Sequence, residues 1–250
     1  MLDVYIDKEQ FEFEYEGIKV FYTLNTTNLV KELLNDIEEN HIKTSFNSYS
    51  KVIYINPLNK LETLLCFNKT NNLYKKIIDY SLSSNLINSE KVREIINLIN
   101  EQIGVDFILE NNDLSKLIVS LFALNTNEYI NENSFYKFLE FNKSDTKKLI
   151  ILQDLDFIKI SRLKEFLNFY DFIIITNSFS CIEDVSNLET LVIWNNKSNY
   201  LEVIDADKLL SYLELKINIP ITKEIFNNFI KNEGNMKLNA EISYFLLNFF

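Results

Sequence analysis

Two uninterrupted apolar runs near the middle of the chain give the clearest structural prediction. They cover residues 149–152 and residues 172–176, and a short amphipathic segment, residues 161–170, lies between them. Apolar runs without alternation are typical of strands buried on both faces, and parallel strands joined by a crossover helix obtain such burial. The pattern therefore predicts a β-α-β unit near the centre of a sheet.

Before this unit, the pattern predicts a hairpin, a helix and a strand. Residues 11–15 alternate strictly between apolar and acidic side chains, residues 18–22 alternate less cleanly, and Gly17 lies in the turn between them. Apolar positions at helical spacing follow the capping residues 25–28, which predicts an amphipathic helix ending near residue 40. The apolar run at residues 52–55 predicts a buried strand that Pro57 terminates.

Residues 58–141 have a different pattern, because apolar residues recur there at spacings of three and four. Gly104 interrupts this period, residues 105–109 fit either a short strand or a helical turn, and the period resumes at Leu114. The length suits two or three antiparallel helices. We predict an α/β class protein in which residues 1–57 and 142–215 form a discontinuous head domain and residues 58–141 form an inserted helical leg.

The chain after the central unit predicts a small hairpin and several helices. Residues 190–194 and 200–204 are strand-like, and residues 207–215 have a short helical pattern. Two amphipathic segments, residues 223–231 and 238–250, follow a break at Pro220, and we assign residues 216–250 to a C-terminal helical extension. The last segment is so apolar that we expect it to pack on its own domain or on another subunit.

Composition narrows the classes of protein that this chain can belong to. A formal net charge of −11 over 250 residues argues against a protein that coats nucleic acid with its whole surface, although it leaves room for a confined basic track. Cys66 and Cys181 lie far apart, which favours buried free thiols in a reducing compartment. The chain opens without a signal-peptide pattern and has no apolar run of about 20 residues, so we expect a cytoplasmic protein.

Polar residues follow both central strands in an arrangement that suits nucleotide hydrolysis. Asp154 and Asp156 follow the first strand and could hold magnesium-bound water, and Thr176 with Asn177 ends the second and could sense a phosphate. Hydrolysis also needs a glycine-rich loop that surrounds the phosphates. The chain has only three glycines, at positions 17, 104 and 234, and none precedes a lysine. We therefore predict that Asp154 and Asp156 are solvated turn or N-cap residues.

Other catalytic arrangements are restricted by residue counts. His41 is the sole histidine, which excludes a two-histidine metal site, and we expect it to be a surface residue. The carboxylates Glu110, Asp113, Glu128 and Glu132 match no hydrolytic motif. They fit a solvated edge, with a site for a hard cation as the functional alternative. We expect a protein that is not an enzyme.

Positive charge is concentrated on the first helices of the leg and just before the first central strand. The predicted DNA-binding residues are Lys69, Lys75, Lys76, Lys91, Arg93, Lys143, Lys147 and Lys148. Each is individually an ordinary surface cation. Collected on one face and repeated by symmetry in an oligomer, they could line a channel for a duplex while the remaining surface stays acidic.

The order of these parts resembles the Csn family of accessory proteins from subtype II-A CRISPR-Cas systems. Residues 106–110 with residues 117–121 resemble that family's acidic segment and the helix after it, and residues 147–152 resemble its central strand. The resemblance covers roughly residues 4–177. Because the chain continues well beyond residue 200, it is similar to the longer members of the family.

The resemblance implies a P-loop-NTPase-like α/β head that lacks the phosphate loop, with an inserted helical leg. It also implies a ring-shaped homotetramer that binds the ends of double-stranded DNA without regard to sequence. Such proteins support spacer acquisition in antiviral defence, together with the CRISPR integrase proteins and the RNA-guided nuclease. Family members hold calcium with acidic residues of the leg, and Glu110 and Asp113 are the residues of this chain that match them.

Two other functions remain open from the residues alone. Asp154 and Thr176-Asn177 would suit a degenerate nucleotide-binding subunit of the clamp-loader kind. The acidic surface and the apolar tail would suit a purely structural, partner-binding protein.

Overall fold

The structure is a computed structural model that describes residues 2–6, 9–38, 43–44, 52–61, 64, 72–83, 89–103 and 127–248. It divides into two compact units. The first comprises Met1–Leu58, Asn131–Phe135 and Lys143–Phe250, and the second comprises Asn59–Ile130 and Tyr136–Asn142. The sheets belong to the first unit, and helices predominate among the described residues of the second.

The described residues form nine strands, eight α-helices and one 3-10 helix. In chain order they are β1 (Leu2–Ile6), β2 (Glu9–Phe13), β3 (Ile18–Tyr22), α1 (Thr26–Glu38), β4 (Lys43–Thr44), β5 (Val52–Ile55), α2 (Asn72–Ser83), α3 (Ser89–Ile103), α4 (Glu132–Phe141), β6 (Lys148–Gln153), α5 (Ile160–Lys164), β7 (Tyr170–Thr176), a 3-10 helix (Val185–Thr190), β8 (Leu191–Asn196), β9 (Asn199–Glu202), α6 (Ala206–Ile217), α7 (Lys223–Ile230) and α8 (Met236–Leu247). The chain is therefore an α/β protein, as predicted.

A large, mostly parallel sheet forms the core of the first unit. Its strand order is β5-β6-β7-β3-β8-β9, in which every neighbouring pair is parallel except β8 with β9. The predicted central pair is confirmed, since β6 and β7 are adjacent with Ile150 opposite Phe172. Every residue of β7 is buried, as the uninterrupted apolar run indicates.

The predicted hairpin between residues 11–15 and 18–22 is wrong. The strand β2 pairs instead with β1, placing Val4 opposite Phe11, and β3 enters the large sheet between β7 and β8. All five residues of β3 are buried, and a two-stranded hairpin cannot bury both faces of a strand. Gly17, with φ +92°, turns the chain from one sheet to the other, and a Cβ there would lie 2.7 Å from Leu167 Cδ2.

The C-terminal elements match their predictions. β8 and β9 form the antiparallel hairpin, and α6, α7 and α8 follow it. Ile242 and Leu246 of α8 are fully buried, and α8 contacts α6 and β8. The part of the tail that carries these two side chains therefore packs on its own chain.

The second unit contains α2 and α3, in the segment where helical periodicity was predicted. The predicted strand or turn at residues 105–109 and the helix from Leu114 lie outside the described residues. Among the helices that the structure describes, none is both long enough and apolar enough to cross a membrane.

Candidate functional site

A polar cluster lies at the carboxyl end of β6, beside the start of α1. Thr26 Oγ1 donates a hydrogen bond to Asp154 Oδ2 at 2.7 Å, and Gln153 Nε2 donates to the same oxygen at 3.1 Å. The Tyr54 hydroxyl donates to Gln153 Oε1, and Asn56 Nδ2 donates to the Tyr54 oxygen at 2.9 Å. Three neighbouring elements, β5, β6 and α1, thus contribute side chains to one network.

Asp154 is held in a special conformation at the centre of this cluster. Its φ of 50° lies in the left-handed region, and its N–H donates to the Ile175 carbonyl of β7 at 3.0 Å. The atom Asp154 Oδ1 is buried, and no described group hydrogen-bonds to it. Asp154 therefore lies in a bend, in keeping with the predicted turn, but neighbouring side chains rather than solvent bind its carboxylate. Asp156 is exposed, and Lys159 occupies the N-cap position of α5.

The connection between β3 and α1 determines what can bind beside Asp154. It consists of residues 23–25, and Thr23 N–H donates to the Thr176 carbonyl at 2.9 Å. Asn25 Oδ1 accepts the N–H of Asn28 at 3.1 Å and so caps the first turn of α1. A phosphate loop surrounds its ligand with successive backbone N–H groups. This three-residue connection, which contains no glycine, is too short to do so.

At the end of β7, the side chain of Thr176 hydrogen-bonds to the backbone of the protein itself. Thr176 is buried, and its hydroxyl accepts the N–H of Ser178 at 3.0 Å and donates to the Ser178 carbonyl at 3.2 Å. Asn177 is exposed. Within the described part of the chain, no group of three or more His, Cys, Asp or Glu residues is arranged to hold a metal ion. The arrangement offers carboxylate and hydroxyl oxygens, which a hard cation prefers, but few of them.

Two of the predicted DNA-binding residues are exposed lysines of α2. Lys75 has no ion-pair or hydrogen-bond partner in the described chain. Lys76 places its ammonium 4.4 Å from the ring centroid of Phe141, a cation–π contact that still leaves the side chain exposed. Both cations are therefore accessible to an anionic ligand.

The cations of α3 have acidic neighbours. Lys91 and Arg93 are exposed, and both engage in other interactions. Glu90 and Glu94 stand on the same helix, so its net contribution to a basic track is small. The remaining predictions on this part of the chain, Lys69 for DNA and Glu110 and Asp113 for calcium, lie outside the described residues, as do His41 and Cys66.

The third group of cations lies at the amino-terminal end of β6, the opposite edge of the sheet from Asp154. Lys147 Nζ lies 2.6 Å from a carboxylate oxygen of the buried Asp171, at the start of β7. Lys143 lies over the rings of Phe166 and Phe169, at 5.2 and 5.1 Å from their centroids. Lys148 is half-buried in the first position of β6. Through these contacts, Lys143 and Lys147 take part in the packing of the first unit.

Sequence reasoning missed one buried ion pair and correctly predicted one buried thiol. Lys19, the second residue of β3, is 1% exposed and pairs with Glu202 of β9 at 2.5 Å. Its position within an imperfectly alternating strand was the available signal. Cys181 is a buried free thiol, and burial raises its pKa to about 12, so it is a poor nucleophile at neutral pH.

No model of a known protein family matches the sequence. A search of curated proteins also finds no match.

Proposed function

We propose that the protein is a non-catalytic, sequence-independent binder of double-stranded DNA ends that works as a ring-shaped homo-oligomer. In this proposal it supports spacer acquisition in CRISPR immunity, alongside the integrase proteins and the RNA-guided nuclease. The observation that carries the proposal is the pair Lys75 and Lys76, exposed on a helix of an insertion between two strands of the head. An anionic duplex needs such accessible cations.

The order of the parallel strands supports a P-loop-like head. The strand that precedes α1, β3, lies in the interior of the sheet, and β6, the strand that Asp154 follows, lies two places away. At this edge of the sheet, Thr26 Oγ1 at the start of α1 lies 2.7 Å from Asp154 Oδ2, just after β6. A nucleotide-binding protein uses a hydroxyl and an acid placed in this way around magnesium.

Features at the same edge of the sheet support the proposal that the protein does not hydrolyse nucleotides. The connection from β3 to α1 is three residues long and offers no lysine or glycine to a phosphate. Asp154 directs one oxygen at Thr26 and Gln153 rather than at solvent. The head then serves as a scaffold, and binding is assigned to the insertion.

A confined basic site is compatible with the acidic chain. Repulsion by a net charge of −11 is screened beyond about 8–10 Å at physiological salt, whereas a cation at a phosphate acts within contact distance. Rotational symmetry would place one copy of the α2 lysines from each subunit around a common hole. A modest number of lysines per subunit is then enough.

Charge reversal on α2 tests the proposal. Lys75→Glu with Lys76→Glu is expected to weaken binding of a linear duplex by on the order of tenfold or more, because two phosphate contacts become repulsive. Lys231→Glu with Lys237→Glu is the matched control, since both lysines are exposed in the C-terminal extension and the charge change is identical. Gel-shift titration measures both. Unchanged affinity in the α2 variant would remove these lysines from the binding site.

A second candidate function is degenerate nucleotide binding without hydrolysis. It is favoured by the Thr26–Asp154 hydrogen bond and by the buried oxygen of Asp154 that no described group contacts. Calorimetry with magnesium and each nucleoside triphosphate tests it. Saturable heat that disappears when magnesium is chelated would support this candidate, and no heat with any nucleotide would eliminate it.

A further inference from the structure

The strand β9 forms one edge of the large sheet, and main-chain groups on its outer side are unpaired within the described chain. Val203 N–H donates to the Leu191 carbonyl at 2.9 Å, so Val203 and, two residues earlier, Leu201 direct their main-chain groups toward β8. The alternate residues Tyr200 and Glu202 therefore direct an N–H and a C=O each away from the sheet. No described group hydrogen-bonds to these outward groups, and β9 contains neither the lysine nor the proline that often protects an edge.

An apolar groove of about 290 Å³ lies along this edge, between β9 and the start of α6. Its lining includes Leu201 and Val203 on the side of the strand, and Leu209 and Tyr212 on the side of the helix. Ile204, which connects the two elements, also lines the groove and is 60% exposed. The edge therefore presents apolar surface directly beside the outward main-chain groups.

A strongly acidic cavity of about 460 Å³ continues from the groove, because Asp205 lines both. Lys223 is the one lysine among its lining residues, which also supply the four carboxylates of Asp184, Glu189, Asp205 and Asp207. Lys223 lies 2.9 Å from Asp207, whereas the exposed Glu189 carboxylate has no partner among the described residues. No three acidic side chains of the described chain are arranged to hold a metal ion, so the cation that fits here is a lysine or arginine side chain.

We propose that the β9 edge binds an extended peptide segment of another protein, in which alternating apolar residues lie next to a lysine or arginine. A polypeptide offers N–H and C=O groups at the spacing that the outward groups of Tyr200 and Glu202 require, which small polar ligands and nucleic acids do not. Every second side chain of the added strand enters the apolar groove. The acidic cavity beyond the carboxyl end of β9 then favours the basic residue.

A second copy of this chain fits the edge less well than a separate peptide. Antiparallel pairing of two β9 strands about a two-fold axis would bring the β8–β9 turn of one copy toward the acidic cavity of the other. The cation of that turn, Lys197, is half-buried and already engaged in another interaction. The turn would thus bring no accessible cation to the carboxylates.

Calorimetry of peptide binding to the full chain tests the inference. The probe is a short peptide with blocked ends, in which valine alternates with threonine between two terminal lysines, and saturable binding is expected. Methylation of every main-chain nitrogen keeps the side chains but removes the donors of the added strand, so it should weaken binding at least about tenfold. Replacement of both lysines by glutamates should weaken binding as well, because the acidic cavity then repels the peptide.

Two variants locate the bound peptide, and a third is their control. Ile204→Ser should weaken binding at least about tenfold through loss of apolar burial. Glu189→Lys should weaken binding of the lysine peptide and strengthen binding of the glutamate peptide. Leu58→Ser, at a 78% exposed position in the turn after β5, the opposite edge strand of the sheet, should change neither.

Four results would overturn the inference. The first is no saturable binding of the lysine peptide, and the second is equal binding of its methylated form. The third is an equal loss of binding in Ile204→Ser and Leu58→Ser. The fourth is a lower oligomeric mass of Ile204→Ser alone, which would show that a second copy of the chain occupies the edge.

Discussion

Asp154 combines a left-handed backbone with a carboxylate that two side chains contact. The backbone conformation alone costs a residue with a Cβ about 1–2 kcal/mol relative to glycine. An aspartate is tolerated there because its short polar side chain bonds locally. These two contributions can be separated by substitution.

We predict that Asp154→Ala lowers the free energy of unfolding by about 2–4 kcal/mol, since it removes both hydrogen bonds and keeps the strained backbone. Asp154→Gly loses the same bonds but relieves the strain, so its cost should be about 1–2 kcal/mol smaller. Urea denaturation measures both values. Equal costs for the two variants would show that the positive φ carries no strain.

Lys147 is a predicted DNA-binding residue, and in the structure it forms an ion pair with the buried Asp171. The Lys147 side chain is 36% exposed, so solvent screens the pair in part. We predict that Lys147→Ala costs about 1–3 kcal/mol, because the substitution removes this ion pair from the buried Asp171. In the background of Asp171→Asn the same substitution should cost less, and a double-mutant cycle measures the difference. Additive costs would mean that the pair contributes nothing to stability.

Among the strands, those whose sequence is apolar on both faces were predicted correctly. The runs at residues 149–152 and 172–176 were recognisable because nothing polar interrupts them, and they became the adjacent strands β6 and β7. In β3 the polar Lys19 interrupts the apolar positions, yet this lysine is buried against Glu202, 183 residues later in the chain. The imperfect alternation of β3 was the one local signal, and it does not reveal a partner 183 residues away, so the hairpin prediction failed.

The C-terminal helix α8 carries a buried and an exposed apolar side chain whose contributions to stability can be compared. Leu246 is fully buried and Tyr244 is 60% exposed on the same helix. Leu246→Ala should lower the free energy of unfolding by about 2–5 kcal/mol, as expected for a cavity in a packed core. Tyr244→Ala, the control, should change it by about 0.5 kcal/mol or less. If Leu246→Ala altered only the oligomeric mass, the helix would instead pack on another subunit.

For the whole molecule, the sequence predicted the α/β class correctly, but not the geometry of the polar cluster. Thr26 and Asp154 are 128 residues apart, and only the strand order brings them together. The sequence identifies the lysines and the arginine of the predicted DNA site, but it does not identify the side chains that contact them. Asp171, which pairs with Lys147, lies in the next strand of the sheet.

The oligomer and calcium stay proposals that solution mass can decide. A ring requires a mass that is a multiple of the 29.6 kDa chain. If acidic residues of the leg hold calcium, chelation should lower that mass, because unscreened carboxylates would repel one another. A single chain mass under both conditions would favour the partner-binding alternative.

The protein is proposed to bind DNA by its ends, and competition between two forms of one plasmid distinguishes end binding from binding along the duplex. Linear and covalently closed circular molecules of identical sequence present the same phosphates, so a protein that binds along the duplex cannot distinguish them. The proposal predicts a stable gel shift with the linear form, weakening steeply with salt, and little or none with the closed circle. Equal binding of the two forms, or binding of neither, would contradict it.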